Sequence, residues 1–201
     1  MKRKLSLILA VIMCILTLAS CSQADNYVPA GYKKASNDNA DYTLYVPEGW
    51  TVDMSTGVTT AYATDRSSVS FIGFELDDTV IRFDHVTEGD GTENENATDT
   101  GAEDKDKIVS LDDYWAYYSK AFEDTFSDME YVSEGENTVV SGIEAKKYVY
   151  KATVTGVKYV FLQVVAIKDM TVYIFTYTAK DSSYESHVEE VTEILGYLEI
   201  K

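Results

Sequence analysis

Apolar residues alternate along Ile143 to Ala179, and the pattern predicts three consecutive strands. Val157 to Lys168 is apolar on both alternating sets. Val157, Tyr159, Phe161, Val165 and Ile167 form one, interrupted by Gln163; Val160, Leu162, Val164 and Ala166 form the other. Thr171 to Ala179 repeats this, with Tyr173, Phe175 and Tyr177 set against Val172 and Ile174. A strand apolar on both sides must be covered on both sides. In Lys147 to Val154, Tyr148, Tyr150, Ala152 and Val154 alternate with Lys147, Lys151 and Thr153, so one face is expected to meet water. Thr155-Gly156 suits a two-residue hairpin loop, because glycine accepts the positive φ such turns require. Asp169-Met170 is a weaker turn signal, having no glycine. Connections this short force antiparallel neighbours.

The flanking chain supplies shorter elements. Tyr42 to Val46 and Trp50 to Met54 read as strands around the turn Pro47-Glu48-Gly49. Val58 to Thr64 and Ser67 to Leu76 read as a hairpin turning at Asp65-Arg66. Ser110 opens a helix as its cap, with Asp113 an imperfect capping-box partner. Leu111, Tyr114, Trp115, Tyr118, Phe122 and Phe126 recur there at helical spacing, and such a stripe is expected to pack on a sheet. Asp128 to Val140 returns the chain, partly as a strand. A last helix starts near Asp181-Ser182-Ser183, its stripe formed by Tyr184, Val188, Val191, Leu195 and Leu198 and widened by Ile194. Two amphipathic helices and strands apolar on both faces predict an α+β fold: an α-β-α sandwich, its antiparallel sheet flanked by helices on both faces.

The N-terminus changes the picture. Lys2, Arg3 and Lys4 precede an apolar run, Leu5 to Leu18, too short to span a bilayer comfortably and matching a signal-peptide core. Leu18-Ala19-Ser20-Cys21 closes it and resembles the lipobox of bacterial lipoproteins. That resemblance implies cleavage between Ser20 and Cys21 and a diacylglyceryl group on the Cys21 sulfur. Two acyl chains hold a membrane stably where one would be reversible. Cys14 would leave with residues 1–20, so the mature chain has no intramolecular disulfide and must rely on a packed core. The remaining 181 residues suit one domain. Residues 21–41, polar and aperiodic, read as a flexible tether, and 42–201 as the folded domain.

Charge removes several classes of function. The chain carries −17, and losing Lys2, Arg3 and Lys4 leaves 14 basic against 34 acidic residues, or −20. This argues against nucleic-acid binding and against a broad electrostatic hold on anionic lipid. Residues 84–107 are acidic, bear glycines and are expected to form a mobile insertion. They do not make an EF-hand: counted from Asp90, the sixth position is Glu95 and the twelfth Gly101, where the loop needs Gly and Glu. Asp77-Asp78 reads as a turn that could aid a cation.

Reactive constellations are sparse. The two histidines, His85 and His187, are both expected to face solvent. No nucleophile elbow, zinc-protease helix or phosphate loop is present in the sequence. Asp112-Asp113 and Glu189-Glu190 are adjacent on helices, about 100° apart, and make poor acid–base dyads. No catalytic residue, cofactor or metal site is expected.

Tyr45-Val46-Pro47-Glu48-Gly49-Trp50, the helix entry Ser110-Leu111-Asp112-Asp113-Tyr114, Ser141-Gly142-Ile143-Glu144-Ala145 and the strand from Tyr173 to Ala179 together resemble the PsbP-like family over Tyr42 to Ile200. The resemblance implies an α-β-α sandwich in which Trp50 packs and Gly142 turns. Its photosynthetic members assist the oxygen-evolving centre; others are bacterial lipoproteins, which this chain resembles more. A shared fold does not transmit an activity. The expectation is a lipid-anchored envelope protein facing out of the cytoplasm, non-catalytic, with a binding or accessory role toward a protein partner. A small-molecule or divalent-cation binding lipoprotein and an envelope hydrolase are the alternatives.

Overall fold

The structure, a computed structural model, describes residues 27–54, 58–76 and 110–201. Strands β1 (Tyr32–Lys34), β2 (Tyr42–Thr43), β3 (Tyr45–Pro47), β4 (Thr51–Asp53), β5 (Thr59–Tyr62) and β6 (Ser68–Glu75) precede helix α1 (Leu111–Thr125). Strands β7 (Glu130–Val140), β8 (Ile143–Val154), β9 (Val157–Lys168) and β10 (Thr171–Lys180) follow. A 3₁₀ turn at Tyr184–His187, helix α2 (Val188–Tyr197) and β11 (Glu199–Ile200) end the chain.

Seven strands form one sheet in the order β4-β5-β6-β10-β9-β8-β7, antiparallel at every pairing. The three predicted central strands are present and joined by two-residue turns. Thr155 and Gly156 have φ of 49° and 82°, and Asp169 and Met170 have 49° and 63°. Both turns therefore hold two consecutive left-handed residues, the twist that matches flanking strands. The second does so without glycine.

Alternate residues of β9 and β10 divide between two apolar clusters, as strands apolar on both sides require. Val160, Leu162, Val164, Tyr173, Phe175 and Tyr177 join Val191 and Ile194 of α2 in one. Val165, Val172 and Ile174 join Tyr114 and Trp115 of α1 in the other. Gln163, the polar exception, is buried and bridges two strands: it accepts from the Tyr150 hydroxyl at 3.1 Å and donates to Thr176 Oγ1 at 3.1 Å. The wet face expected on β8 is only partly polar. Lys147 and Lys151 are half-exposed in ion pairs with Glu136 and Asp181, but Val149 between them is buried.

Two expectations change. The segment read as one strand, Tyr42 to Val46, is split at Leu44. Strand β2 pairs with β11, while β3 pairs with β1 in a separate two-stranded sheet. The folded domain also begins before residue 42: β1 lies within the stretch read as tether, and Ala35 and Ser36 are buried. Three short polar-looking residues acquire structure here because a partner strand and a core wall await them, which periodicity cannot show. The insertion at 84–107, Asp77-Asp78, His85, Ser20 and Cys21 lie outside the described residues.

Candidate functional site

Helix α1 starts as expected. The Ser110 hydroxyl oxygen accepts from the Asp113 N–H at 3.1 Å and donates to the Asp113 carboxylate at 2.6 Å, so Asp113 bonds the cap's side chain rather than its backbone. This fixes the helix over β8. The Trp115 indole lies flat on the Tyr148 ring, with centroids 3.6 Å apart and planes 8° apart. Tyr118, Phe122, Tyr131, Tyr150 and Phe161 extend the aromatic packing, so the α1 stripe packs on the sheet as its spacing implied.

Beside this stack, α1 and the edge strand β7 diverge around a groove of about 490 Å³. Strand β7 opens the groove because it is bulged. Its pairing with β8 shifts register between Tyr131 and Ser133 and again before Glu136, and Gly135 sits at φ +67°, a conformation glycine takes without strain. Trp115 and Tyr148 line the buried floor and Glu134 and Gly135 one wall. Lys120 and Glu123 project from the exposed side of α1, and Lys146 pairs with Asp112 at 3.1 Å at one end.

Polar groups at the floor are unevenly satisfied. The Trp115 indole N–H is buried and has no hydrogen-bond partner. Such a donor costs about 1–3 kcal/mol in a folded protein. Tyr131 donates to Glu123 at a long 3.4 Å. Burial pushes the Tyr131 hydroxyl pKa up and Glu123 and Glu134 add to the rise; the Trp115 and Ser119 side chains work against it. The Tyr131 hydroxyl is thus the nearby group toward which the Trp115 indole N–H is directed. The Tyr148 hydroxyl is pushed up by burial first, then by the negative charge of Asp112 and Glu134. Three carboxylates, Asp112, Glu123 and Glu134, line the groove against two lysines, Lys120 and Lys146.

A second polar cluster corrects the sequence reading of His187. The ring is half-buried, not solvent-facing: Nδ1 meets Glu190 at 2.5 Å, Nε2 lies 3.4 Å from Asp65, and Trp50 packs edge-on with centroids 5.6 Å apart. Burial works to raise the Asp65 pKa, but the Ser67 N–H and hydroxyl and the neighbouring His187 prevail and hold it below the usual carboxylate value. The cluster ties the β5–β6 turn to the start of α2. Trp50 is 4% exposed and packs, and Gly142 turns at φ +76°.

The hydrophobic pattern marks Trp115 and Tyr148 as packing residues but not the groove beside them. Glu134, Gly135 and Lys146 carried no signal, since the β7 bulge is a property of pairing. Among the described residues, no group of three or more His, Cys, Asp and Glu side chains could hold a metal ion. No helix among them is long and apolar enough to cross a membrane.

No protein-family model matches the chain, and no curated protein sequence matches it significantly. Solved structures do. The chain is similar to cyanobacterial PsbP (CyanoP) from Synechocystis sp. PCC 6803, with a TM-score of 0.55 at 14% identity, over 92% of this chain and 99% of that one. It aligns more loosely with LpqN of Mycobacterium tuberculosis, described as involved in cell envelope biogenesis, with a TM-score of 0.43 at 12% identity, over 88% and 99% of the two chains. A Pseudomonas aeruginosa protein of unknown function gives 0.45 at 16% identity, over 81% and 92%. The large antiparallel sheet and two helices thus define a mainly β domain. Its fold is PsbP-like, and at these identities the likeness concerns the fold alone.

Proposed function

We propose that this chain is a lipid-anchored, extracytoplasmic binding or accessory protein of the bacterial cell envelope that performs no catalysis. The observation that carries the binding role is the groove between α1 and β7, floored by the stacked Trp115 and Tyr148 rings. The carboxylates there favour binding over chemistry: Asp112 faces Lys146 and Glu123 faces a tyrosine hydroxyl, rather than each other. The membrane side of the proposal rests on the leader ending in Ser20-Cys21. On this reading residues 1–20 are removed and Cys21 carries the acyl chains. The two apolar clusters, one containing α1 and the other α2, support a three-layered α-β-α arrangement.

Two experiments test this. Labelled palmitate should enter the wild-type chain and be lost in Cys21→Ser, with the protein released from the membrane; an acylated, membrane-bound Cys21→Ser protein would refute the anchor. In-cell crosslinking should capture one stoichiometric envelope partner. That capture should disappear when the folded domain is deleted and residues 1–31 are kept; capture at background level would refute the accessory role.

A further inference from the structure

We propose that His187 is a proton-operated latch: with both ring nitrogens protonated it ties the β5–β6 turn to the start of α2, and loss of one proton releases that corner of the domain. The latch stands apart from the binding role. His187 packs on Trp50, which shares an apolar cluster with α2, whereas the groove is floored by Trp115 of the other cluster.

The two ring nitrogens meet two different carboxylates. Nδ1 lies 2.5 Å from Glu190 of α2, and Nε2 lies 3.4 Å from Asp65 of the turn. A neutral imidazole has one N–H and one lone pair, and an imidazolium has two N–H groups. A neutral ring can therefore satisfy one of these carboxylates and turns a lone pair toward the other. Flipping the ring only exchanges which carboxylate is left. Among the described residues, no lysine or arginine pairs with either one, and Arg66, next to Asp65, is exposed. The charge that joins the turn to the helix must come from the histidine.

The surroundings hold the contacts in place. Asp65 accepts from the Ser67 N–H at 2.9 Å and from the Ser67 hydroxyl at 3.1 Å, so its carboxylate is fixed within the turn. The His187 side chain is 18% exposed and Trp50 meets it edge-on, which leaves water little room to replace a lost partner. Tyr177 of β10 donates its hydroxyl to the Tyr184 carbonyl at 2.8 Å. Burial, then Tyr184, Asp65 and Glu185 push that hydroxyl's pKa up, so Glu185 adds a further negative charge on this side. One feature opposes the latch: the ring sits at the N-terminus of α2, where the helix dipole amounts to about half a positive charge. Two full negative charges within ion-pair distance of the ring outweigh it. On the outward-facing location proposed above, the pH that sets the latch is that outside the cytoplasm.

The test follows the full ¹⁵N-labelled chain in detergent from pH 5.5 to 8.5, a range in which carboxylates ordinarily stay charged and imidazole changes state. The stability supplied by the two charged contacts is present at the acid end and lost as pH rises. The melting temperature should therefore fall by about 2–5 °C across the range. The chain has two tryptophans, and the indole cross-peak of Trp50 should move along the same curve while that of Trp115 stays. His187→Gln should flatten both responses. Glu190→Gln keeps the histidine, and its amide can donate to the ring or accept from it, so it no longer demands the second proton. It should cut the fall in melting temperature by about half, and it decides the matter if His187→Gln does not fold. A melting temperature that is constant or rises with pH overturns the latch. So does a fall that persists in His187→Gln, equal movement of the two indole peaks, or a Glu190→Gln response equal to that of the wild type.

Discussion

At the scale of single residues, the sheet centre is held by tight choices that composition does not reveal. Gly73 of β6 lies directly opposite Tyr173 of β10. A methyl group placed on Gly73 would come within 2.8 Å of the Tyr173 ring. The ring cannot swing aside cheaply, because its hydroxyl donates to Asp41 at 2.7 Å, and burial together with that carboxylate pushes its pKa up to about 12. Gly73→Ala should therefore destabilise the protein by about 1–3 kcal/mol, the usual cost of overpacking. The double variant Gly73→Ala with Tyr173→Leu should recover part of that loss. Denaturant melts of the two proteins check this, and equal stability of Gly73→Ala and wild type would show that the sheet yields more easily than its geometry implies. Gln163 teaches the same lesson. It stood out in the sequence as an interruption, yet its role lies in Tyr150 and Thr176, thirteen residues away in either direction.

At the scale of elements, legibility followed how local the cause was. Strands β9 and β10 were readable because their double apolar alternation is written in consecutive residues, β8 because its single apolar face is, and α1 because its cap and stripe are. Strand β1 was not, since Tyr32–Lys34 owes its extension to pairing with β3 rather than to its own pattern. The groove was half-legible. The α1 stripe gave Trp115, while the wall at Glu134-Gly135 depends on where β7 slips against β8. Asp169-Met170 lies between these cases. The two-residue spacing was visible but no glycine marked it, and Met170 pays for a left-handed conformation with φ of 63°. Its side chain is 44% exposed, so little packing depends on it. Met170→Gly should relieve that strain and raise stability by about 0.5–1 kcal/mol, after the greater freedom of glycine in the unfolded chain is subtracted. Thermal melts at matched pH would show it. A loss of stability instead would mean that the methionine side chain contributes more than its exposure suggests.

At the scale of the whole molecule, the N-terminal segment and the C-terminus close on one another. The Ala35 N–H donates to the Leu44 carbonyl at 2.7 Å, and the Leu44 N–H donates to Ser36 Oγ at 3.2 Å. Tyr32 hydrogen-bonds Glu193 of α2, and the Lys201 N–H donates to the Asp41 carbonyl at 2.7 Å. These contacts cover Leu44 and Val46, which are fully buried. A chain beginning at residue 42 would lose β1, the Asp41 contacts and the cover over both side chains. Exposing a buried leucine or valine costs about 1.5–3 kcal/mol, so that chain should melt about 6–20 °C below one beginning at residue 27. Differential scanning calorimetry of the two decides it. Equal melting temperatures would show that residues 27–41 merely lie against a domain that is complete without them, as the polar composition of that stretch suggested. The predicted outcome also bears on the proposed anchor. With β1 part of the domain, about ten residues separate Cys21 from Tyr32 in sequence, a span of at most ~35 Å were all of them extended. On the proposed anchor, the domain would then work close to the membrane surface.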